Sequence, residues 1–289
     1  MGAAAKYAVI TDLDNTIYDF ARYYEAGLTG LVSRICAEFD FTTGEATARL
    51  REVYTARRSI EYPFAIEEFP ELRSMTEESR SKFVREALAA FWDAATGQLK
   101  AYRTVRETLR HLDQEGIPVV AYTDAPIHEA MRRLRTLGVD RYFTGIVAQS
   151  WFRRRNGTII VLLDELPGYR RASRHLKFVW RASWDNRKPS ELIYRKIALG
   201  MAVDPRNIVV IGDSVERDLL PAIDLGCTGI WASYGKRSTG GEELLRQVVP
   251  HLLPEVRKMG SAASGEIYEA HQFEDIVQHL PIQQFLVPG

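Results

Sequence analysis

Five short apolar runs without a helical period constrain this chain more than any other feature: 7–11, 117–122, 144–148, 207–211 and 228–232. Runs of this length and character read as strands buried on both faces. Amphipathic segments of helical length separate them, at about 102–115, 126–137, 189–200 and 216–225. Strand and helix in alternation predict a parallel sheet covered on both faces and joined by right-handed crossovers. Ligands of such sheets bind at the carboxyl ends of the strands. The polar residues just past each run are therefore the candidate functional residues.

Two stretches interrupt the alternation. From 20 to 97 the period is helical throughout: Tyr24, Leu28, Leu31, Val32, Ile35 and Phe39 form one apolar stripe, and Phe83, Val84, Ala87, Leu88, Phe91 and Trp92 another. Ser74 with Glu77 suggests a capping box at the start of the second stripe. The other stretch, 150–187, holds nine Lys/Arg against three acids, a local net charge of +6. Within it, Asn156-Gly157 predicts a turn feeding a strand over 158–163, with 175–180 as its pairing partner. A short strand and a helix are expected over 266–280. The fold class is thus α/β: a Rossmann-like doubly wound parallel core over 1–19 and 98–289, an inserted all-α domain at 20–97, and a β-hairpin arm within 150–187.

At 289 residues the chain is long enough for one core and a smaller satellite. Lys+Arg and Asp+Glu are equal at 38 each, so no overall field selects nucleic acid, a membrane or a charged partner. Two cysteines, Cys36 and Cys227, are too few for a disulfide framework or a Cys-based zinc site. The residues before the first run fit neither a signal peptide nor a membrane span, and Lys6 stands where a myristoylation signal wants Ser or Thr. A cytoplasmic protein is expected, with no membrane partner; the oligomeric state is not legible.

Just past the first run stands Asp12-Leu13-Asp14-Asn15-Thr16. Carboxylates at i and i+2 on an extended strand end point the same way and can face one reacting centre. An EF-hand loop is excluded because Ile17 stands where its glycine is required. Past the second run, the Thr123 hydroxyl and the amides opening the next helix can hold phosphate oxygens, or Thr123 or Asp124 simply caps that helix. Lys188, ahead of Pro189 and a helix start, can neutralise a phosphoryl group or be a solvated surface charge. After the fourth run come Gly212-Asp213-Ser214 and Asp218, an oxygen-rich pair suited to Mg²⁺ or to capping a helix dipole. Taken together, in this order and each at a strand end, the four groups point to one site.

These residues resemble the four signature motifs of the haloacid dehalogenase (HAD) superfamily: Asp12-Leu13-Asp14-Asn15-Thr16, Thr123, Lys188, and Gly212-Asp213-Ser214 with Asp218. The resemblance covers the core, and the helical insertion is similar to the cap those enzymes carry between motifs one and two. It implies a phosphohydrolase in which Asp12 attacks phosphorus and Asp14 protonates the leaving oxygen and then activates water. Thr123 and Lys188 would bind the transferred oxygens, with Asp124 beside them. Mg²⁺ would be held by Asp12, the Asp14 backbone carbonyl and Asp213, with Asp218 behind. Dehalogenases of the superfamily lack a carboxylate at the Asp14 position, so phosphate chemistry is implied. Asp-Asn-Thr-Ile-Tyr is similar to pyrimidine nucleotidase-like members, which makes a nucleoside monophosphate one candidate among small phosphorylated substrates.

Two departures stand out: Asp124 replaces the usual Asn after the motif-two hydroxyl, and 150–187 is much longer than the usual link before the lysine motif. Arg153, Arg154 and Arg155 beside Trp151 and Phe152 offer a rival reading, a docking arm for a protein or nucleic acid, although a run of charge is usually a solvated face and nucleic acid is not the expected partner. A phosphomutase shares the same covalent intermediate and remains an alternative. Gly235-Lys236 hints at a phosphate loop but lacks its Ser/Thr and glycine spacing. Tyr23, Tyr24, Arg57, Arg58 and Tyr62 are substrate-facing or core residues of the helical domain.

Overall fold

The computed structural model describes residues 6–155, 158–161, 176–182, 187–236, 242–249 and 267–281. The chain divides into two compact units, Met1–Asp19 with Lys100–Arg237 and Arg257–Gly289, and Phe20–Leu99 with Ser238–Val256.

The first unit is built on a seven-stranded sheet. Its strands are β1 (Ala8–Thr11), β2 (Val119–Pro126), β3 (Gly145–Gln149), β6 (Phe178–Ala182), β7 (Ile208–Gly212), β8 (Thr228–Ala232) and β9 (Ile267–Ala270); β4 (Phe152–Arg155) and β5 (Thr158–Val161) form a separate antiparallel pair. The sheet order is β6-β3-β2-β1-β7-β8-β9, and every neighbouring pair is parallel. All five predicted runs form strands. Their apolar residues explain why: Ala8, Val9, Ile10, Val119, Val120, Ala121, Ile146, Val147, Ile208, Val210 and Ile211 are buried, and continuous burial on both faces suits a β-branched run covered by helices. Winding proceeds from β1 through β2 and β3 on one side and through β7, β8 and β9 on the other. β1 is therefore the switch strand, beside which the doubly wound architecture opens a crevice.

Helices Val105–Gln114, Ile127–Leu137 and Glu191–Met201 follow the predicted amphipathic segments. In the second of these, Ile127, Ala130, Met131, Leu134 and Leu137 are buried, at the spacing a single apolar stripe requires. The fourth predicted segment is less regular, a π-helical turn Val215–Leu219 leading into Leu220–Ile223. The expected terminal strand is β9, and a 3-10 turn, Phe273–His279, stands where a helix was expected.

The basic segment needs one correction. β4 and β5 pair antiparallel as a hairpin should, in the register Phe152↔Val161 to Arg155↔Thr158. The expected partner at 175–180 does not join them; Phe178–Ala182 instead extends β3 in parallel and forms the edge of the main sheet. Phe178 and Trp180 pack against the sheet core, which draws this strand to the larger apolar surface. The Asn156-Gly157 turn and residues 170–174 lie outside the described residues.

In the second unit, helices Phe20–Phe39 and Glu77–Gln98 bury the two predicted stripes, with Leu28, Leu31, Val32 and Ile35 on one and Phe83, Ala87 and Phe91 on the other. Tyr24 meets Phe91 edge-on at 5.2 Å. Tyr23 and Tyr24 are thus core residues, while Arg57 and Tyr62 both engage Glu68. A capping box between Thr42 and Glu45 opens the helix Thr43–Arg57. At Glu77–Gln98 the cap is Thr76, whose hydroxyl accepts the Ser79 N–H at 3.2 Å; Ser74, the expected cap, turns its hydroxyl to the Glu71 carbonyl.

A short helix, Glu243–Val248, also belongs to this unit, although its position after the fifth predicted run assigns it to the core in the sequence. Its first-turn amides explain the placement, because the Glu25 carboxylate accepts the N–H groups of Leu244 and Leu245 at 2.9 and 2.7 Å. Those orphan donors need an acceptor, and a carboxylate also suits the helix dipole. Among the described residues, no helix is long and apolar enough to cross a membrane.

Candidate active site

The carboxyl end of the switch strand β1 carries Asp12, and the strand pairing holds it in place. The Asp12 N–H donates to the Ile211 carbonyl at 2.9 Å, continuing the β1–β7 ladder, so Asp12 lies beside the chain that leads to Asp213. Beyond Asp12 the chain turns tightly: Thr16 and Ile17 donate backbone N–H groups to the Leu13 carbonyl, and the Asn15 N–H bonds the Tyr18 carbonyl. The turn places Asn15 at φ 57°, a left-handed conformation that Asn tolerates better than most residues. It also returns the Thr16 hydroxyl to Asp12 Oδ2, 3.4 Å away. Gly235 packs against this turn so closely that a Cβ there would fall 1.6 Å from the Asn15 carbonyl oxygen. The glycine that hinted at a phosphate loop thus serves the Asp12 turn by being small.

Lys188 reaches the same place from the loop before Glu191–Met201. Its Nζ lies 2.5 Å from Asp12 Oδ1 and 2.7 Å from Asp218 Oδ1, and its side chain is 4% exposed. It is not a solvated surface charge. The ammonium also lies 4.9 Å from the centre of the Tyr122 ring, which packs edge-on against Tyr194.

Asp218 sits on the π-helical turn, a local widening that recurs at functional sites. Its Oδ2 accepts the Ser214 N–H at 3.0 Å while Oδ1 meets Lys188. Gly212 makes room for it: a Cβ on Gly212 would lie 2.5 Å from both the Asp218 Cβ and Oδ2. Asp213 is anchored through its carbonyl, which accepts the Trp231 indole N–H at 3.1 Å. One oxygen from each of Asp12, Asp213 and Asp218 lies within 4.8 Å of the others. Oxygens bound to Mg²⁺ at roughly 2.1 Å can lie up to about 4.2 Å apart, so this hard-oxygen set fits a divalent cation with a small adjustment.

Thr123 and Asp124 lie where the β2–β3 register shifts, between Tyr122 and Pro126. Bulges next to active sites re-aim side chains in this way. Neither residue caps the following helix, whose N-cap is Pro126; the buried Thr123 hydroxyl accepts the Ala125 N–H at 3.1 Å. The Asp124 carboxylate accepts the Lys188 backbone N–H at 3.1 Å and forms an ion pair with Arg217. The unusual carboxylate is thereby neutralised and tethers the lysine loop. Arg217 escaped the sequence reading because only the fold sets it against Asp124, 93 positions away.

Asp14 is bound by Tyr18, the last residue of the Asp-Asn-Thr-Ile-Tyr stretch, and by Arg133, which no motif signalled. The Tyr18 hydroxyl donates to its Oδ1 at 2.5 Å, and Arg133 Nη1 donates to the same oxygen at 3.1 Å.

The electrostatics follow from burial. Burial raises the Asp12 carboxyl well above its ordinary value, and Asp218, Asp213 and Asp14 push it further against the pull of Lys188. Burial alone would lower the Lys188 ammonium; Asp12 and Asp218 more than reverse this and hold it well above its ordinary value. The site is therefore short of positive charge.

The description haloacid dehalogenase-like hydrolase fits residues 7–226 of this chain. The chain belongs to that family. It is similar to the glyceraldehyde 3-phosphate phosphatase of Pyrococcus furiosus, with 20% identity over 233 residues, 79% of this chain and 81% of that protein. Among solved structures it resembles a HAD phosphatase from Thermococcus onnurineus, with a TM-score of 0.58 and 16% identity over 96% of this chain and 100% of that one. It also resembles a 2-haloacid dehalogenase from Pseudomonas syringae pv. Tomato, with a TM-score of 0.51 and 15% identity over 95% and 97% of the two chains. These structural likenesses concern the fold.

Proposed function

We propose that this HAD-like hydrolase is a Mg²⁺-dependent phosphomonoesterase that acts on a small phosphorylated metabolite through an aspartyl-phosphate on Asp12. The observation that carries the reading is Lys188: a buried ammonium bridging two carboxylates of an acidic cluster at the end of the switch strand. A cation held there, with anionic groups around it, suits a substrate whose transferred group is itself anionic.

In the first half-reaction an Asp12 carboxylate oxygen attacks phosphorus as the bond to the leaving oxygen breaks, and that oxygen takes a proton from Asp14. In the second half, Asp14 accepts a proton from water as the water oxygen attacks phosphorus, the bond to Asp12 breaks, and inorganic phosphate leaves. Thr123 and Lys188 bind the transferred oxygens, and Thr16 holds Asp12 from the side. Asp12, the Asp14 backbone carbonyl and Asp213 would hold Mg²⁺, with Asp218 acting from behind, since both its oxygens already serve Lys188 and Ser214. When bound, the cation supplies the positive charge that the crowded carboxylates and a phosphate dianion require.

Asp14 favours phosphate over carbon–halogen chemistry, because only an alkoxide leaving group needs a donated proton. The Asn15-Thr16-Ile17-Tyr18 sequence keeps nucleoside monophosphates among the substrates to test, and the curated relative adds triose phosphates. Phosphomutase activity would use the same covalent intermediate with a different acceptor.

The test is hydrolysis of p-nitrophenyl phosphate with Mg²⁺ and with EDTA, followed by a panel of nucleotides and sugar phosphates. Turnover that needs Mg²⁺ supports the reading; a folded, Mg²⁺-loaded protein that turns over none of these esters overturns it. A narrower expectation concerns Gly212. Gly212→Ala drives a methyl group into Asp218, so Mg²⁺ affinity, measured as the concentration giving half-maximal activity, is expected to weaken roughly 10- to 100-fold.

A further inference from the structure

Arg133 is the largest fully buried side chain described, and the phosphoryl-transfer scheme gives it nothing to do. It rises from helix Ile127–Leu137 into the core of the first unit, with its side chain 1% exposed. A guanidinium stays charged at any physiological pH, so burying one is unfavourable unless it is paired. Its Nη1 donates to Asp14 Oδ1 at 3.1 Å and lies 3.2 Å from the Tyr18 hydroxyl, itself fully buried. Glu129 lies one helical turn away, with its carboxylate 3.8 Å from Nη2. The Tyr18 hydroxyl donates to the same Asp14 oxygen at 2.5 Å. Asp14 itself keeps its side chain 24% exposed.

We propose that Arg133 and Tyr18 are positioning residues that clamp Asp14 through Oδ1 and so reserve Oδ2 for proton exchange with the leaving group. The inference rests on the reading of Asp14 as the proton donor. The Oδ1 oxygen already accepts from a guanidinium and a phenol, which leaves Oδ2 as the oxygen for the leaving group. A free carboxyl rotates about its Cβ–Cγ bond and presents either oxygen; two donors on one oxygen, both anchored in packed elements, remove that freedom. Proton transfer in a transition state needs the donor atom within hydrogen-bond reach, and holding it there is worth part of the catalytic factor. The turn that places Asn15 in the left-handed region brings Tyr18 back onto Asp14, so the clamp is built into the nucleophile loop itself.

The experiment compares wild type, Tyr18→Phe, Arg133→Met, Arg133→Lys and Asp14→Asn on p-nitrophenyl phosphate, whose leaving group departs without a proton, and on ethyl phosphate, whose leaving group does not. Thermal melting of each variant is measured alongside. Tyr18→Phe and Arg133→Met are expected to lose at least about 10-fold more kcat/KM on ethyl phosphate than on p-nitrophenyl phosphate, in the same sense as Asp14→Asn, because kcat/KM reports the half-reaction in which the leaving group departs and not the hydrolysis common to both esters. Arg133→Lys should recover part of that difference. If Arg133→Met does not fold, Tyr18→Phe, which keeps the ring, carries the comparison. Equal losses on the two esters, or no loss, in folded Tyr18→Phe and Arg133 variants overturn the clamp while Asp14→Asn still shows the leaving-group effect. An Asp14→Asn protein that handles both esters as wild type does overturns the role of Asp14, and the clamp with it.

Discussion

Asp12→Asn is expected to lower phosphomonoester turnover by roughly 10⁴-fold or more, and to leave the metal-free protein at least as stable as wild type at neutral pH. The first half follows from nucleophilic catalysis, in which losing the attacking atom removes the covalent path entirely. The second follows from the surroundings of Asp12. Burial and three neighbouring carboxylates raise its folded-state value well above the ordinary 3.8. The folded protein therefore holds this proton where the unfolded chain would release it. The stability contributed is fully present below pH 3.8 and is lost as pH rises through the raised folded value. A neutral amide removes that penalty, and Lys188 keeps Asp218 as a partner. Melting temperatures of metal-free wild type and variant, taken from about pH 4 to about pH 8, should converge at the acid end and separate in favour of the variant as pH rises. A variant that melts far below wild type throughout would contradict this account of the site.

Lys188→Met should produce the largest loss of stability among the site variants. The substitution keeps an apolar stem of similar length and removes the ammonium, leaving Asp12 and Asp218 buried without their shared cation. Breaking a buried ion pair from one side typically costs about 3–5 kcal/mol. The loss should shrink as pH falls, because Asp12 then takes up a proton and no longer needs the cation. It should shrink also when Mg²⁺ is added, since an ion that binds the folded state alone stabilises it by mass action. Denaturant titrations with Mg²⁺ and with EDTA, at two pH values, measure both effects. In the same variant kcat/KM is expected to fall roughly 10²- to 10³-fold, the scale of losing one preorganised charge at a transferring group. Equal stability of Lys188→Met and wild type in EDTA would mean that the bridge contributes nothing to the fold.

Much of the core was legible because local rules and long-range structure agree there. A run such as 207–211 has one good environment, a sheet covered on both faces, and it forms β7 within one residue of its expected bounds. The strand-end rule then placed Asp12, Thr123 and Asp213 on one edge of the sheet before any contact was known, because parallel strands present all their carboxyl ends there, and Asp12 and Asp213 do come together. The fold brings Lys188 and Asp218 onto Asp12, 176 and 206 positions apart in the chain. The motif likeness implies roles for those residues, which spacing alone left open between site and helix cap.

What the sequence left open depends on partners that no local pattern names. The strand at 178–182 is apolar enough for either a hairpin or the main sheet, and only the larger buried surface beside β3 decides between them. The helix 243–248 follows the fifth predicted run, and the Glu25 carboxylate is what draws it to the helical unit. Asp124 looked like a liability until Arg217 and the Lys188 amide met it. Arg133 lies in the predicted helical segment 126–137 with no motif to mark it; in the structure it is buried against Asp14. By itself, then, the sequence determined the strand runs, the helical stripes and the carboxylates at the strand ends, because periodicity and strand polarity are local and repeat along the chain. Which charges meet was decided by the tertiary structure alone, because a buried ion needs a counter-ion within about 4 Å and the fold, not the order of residues, sets that distance.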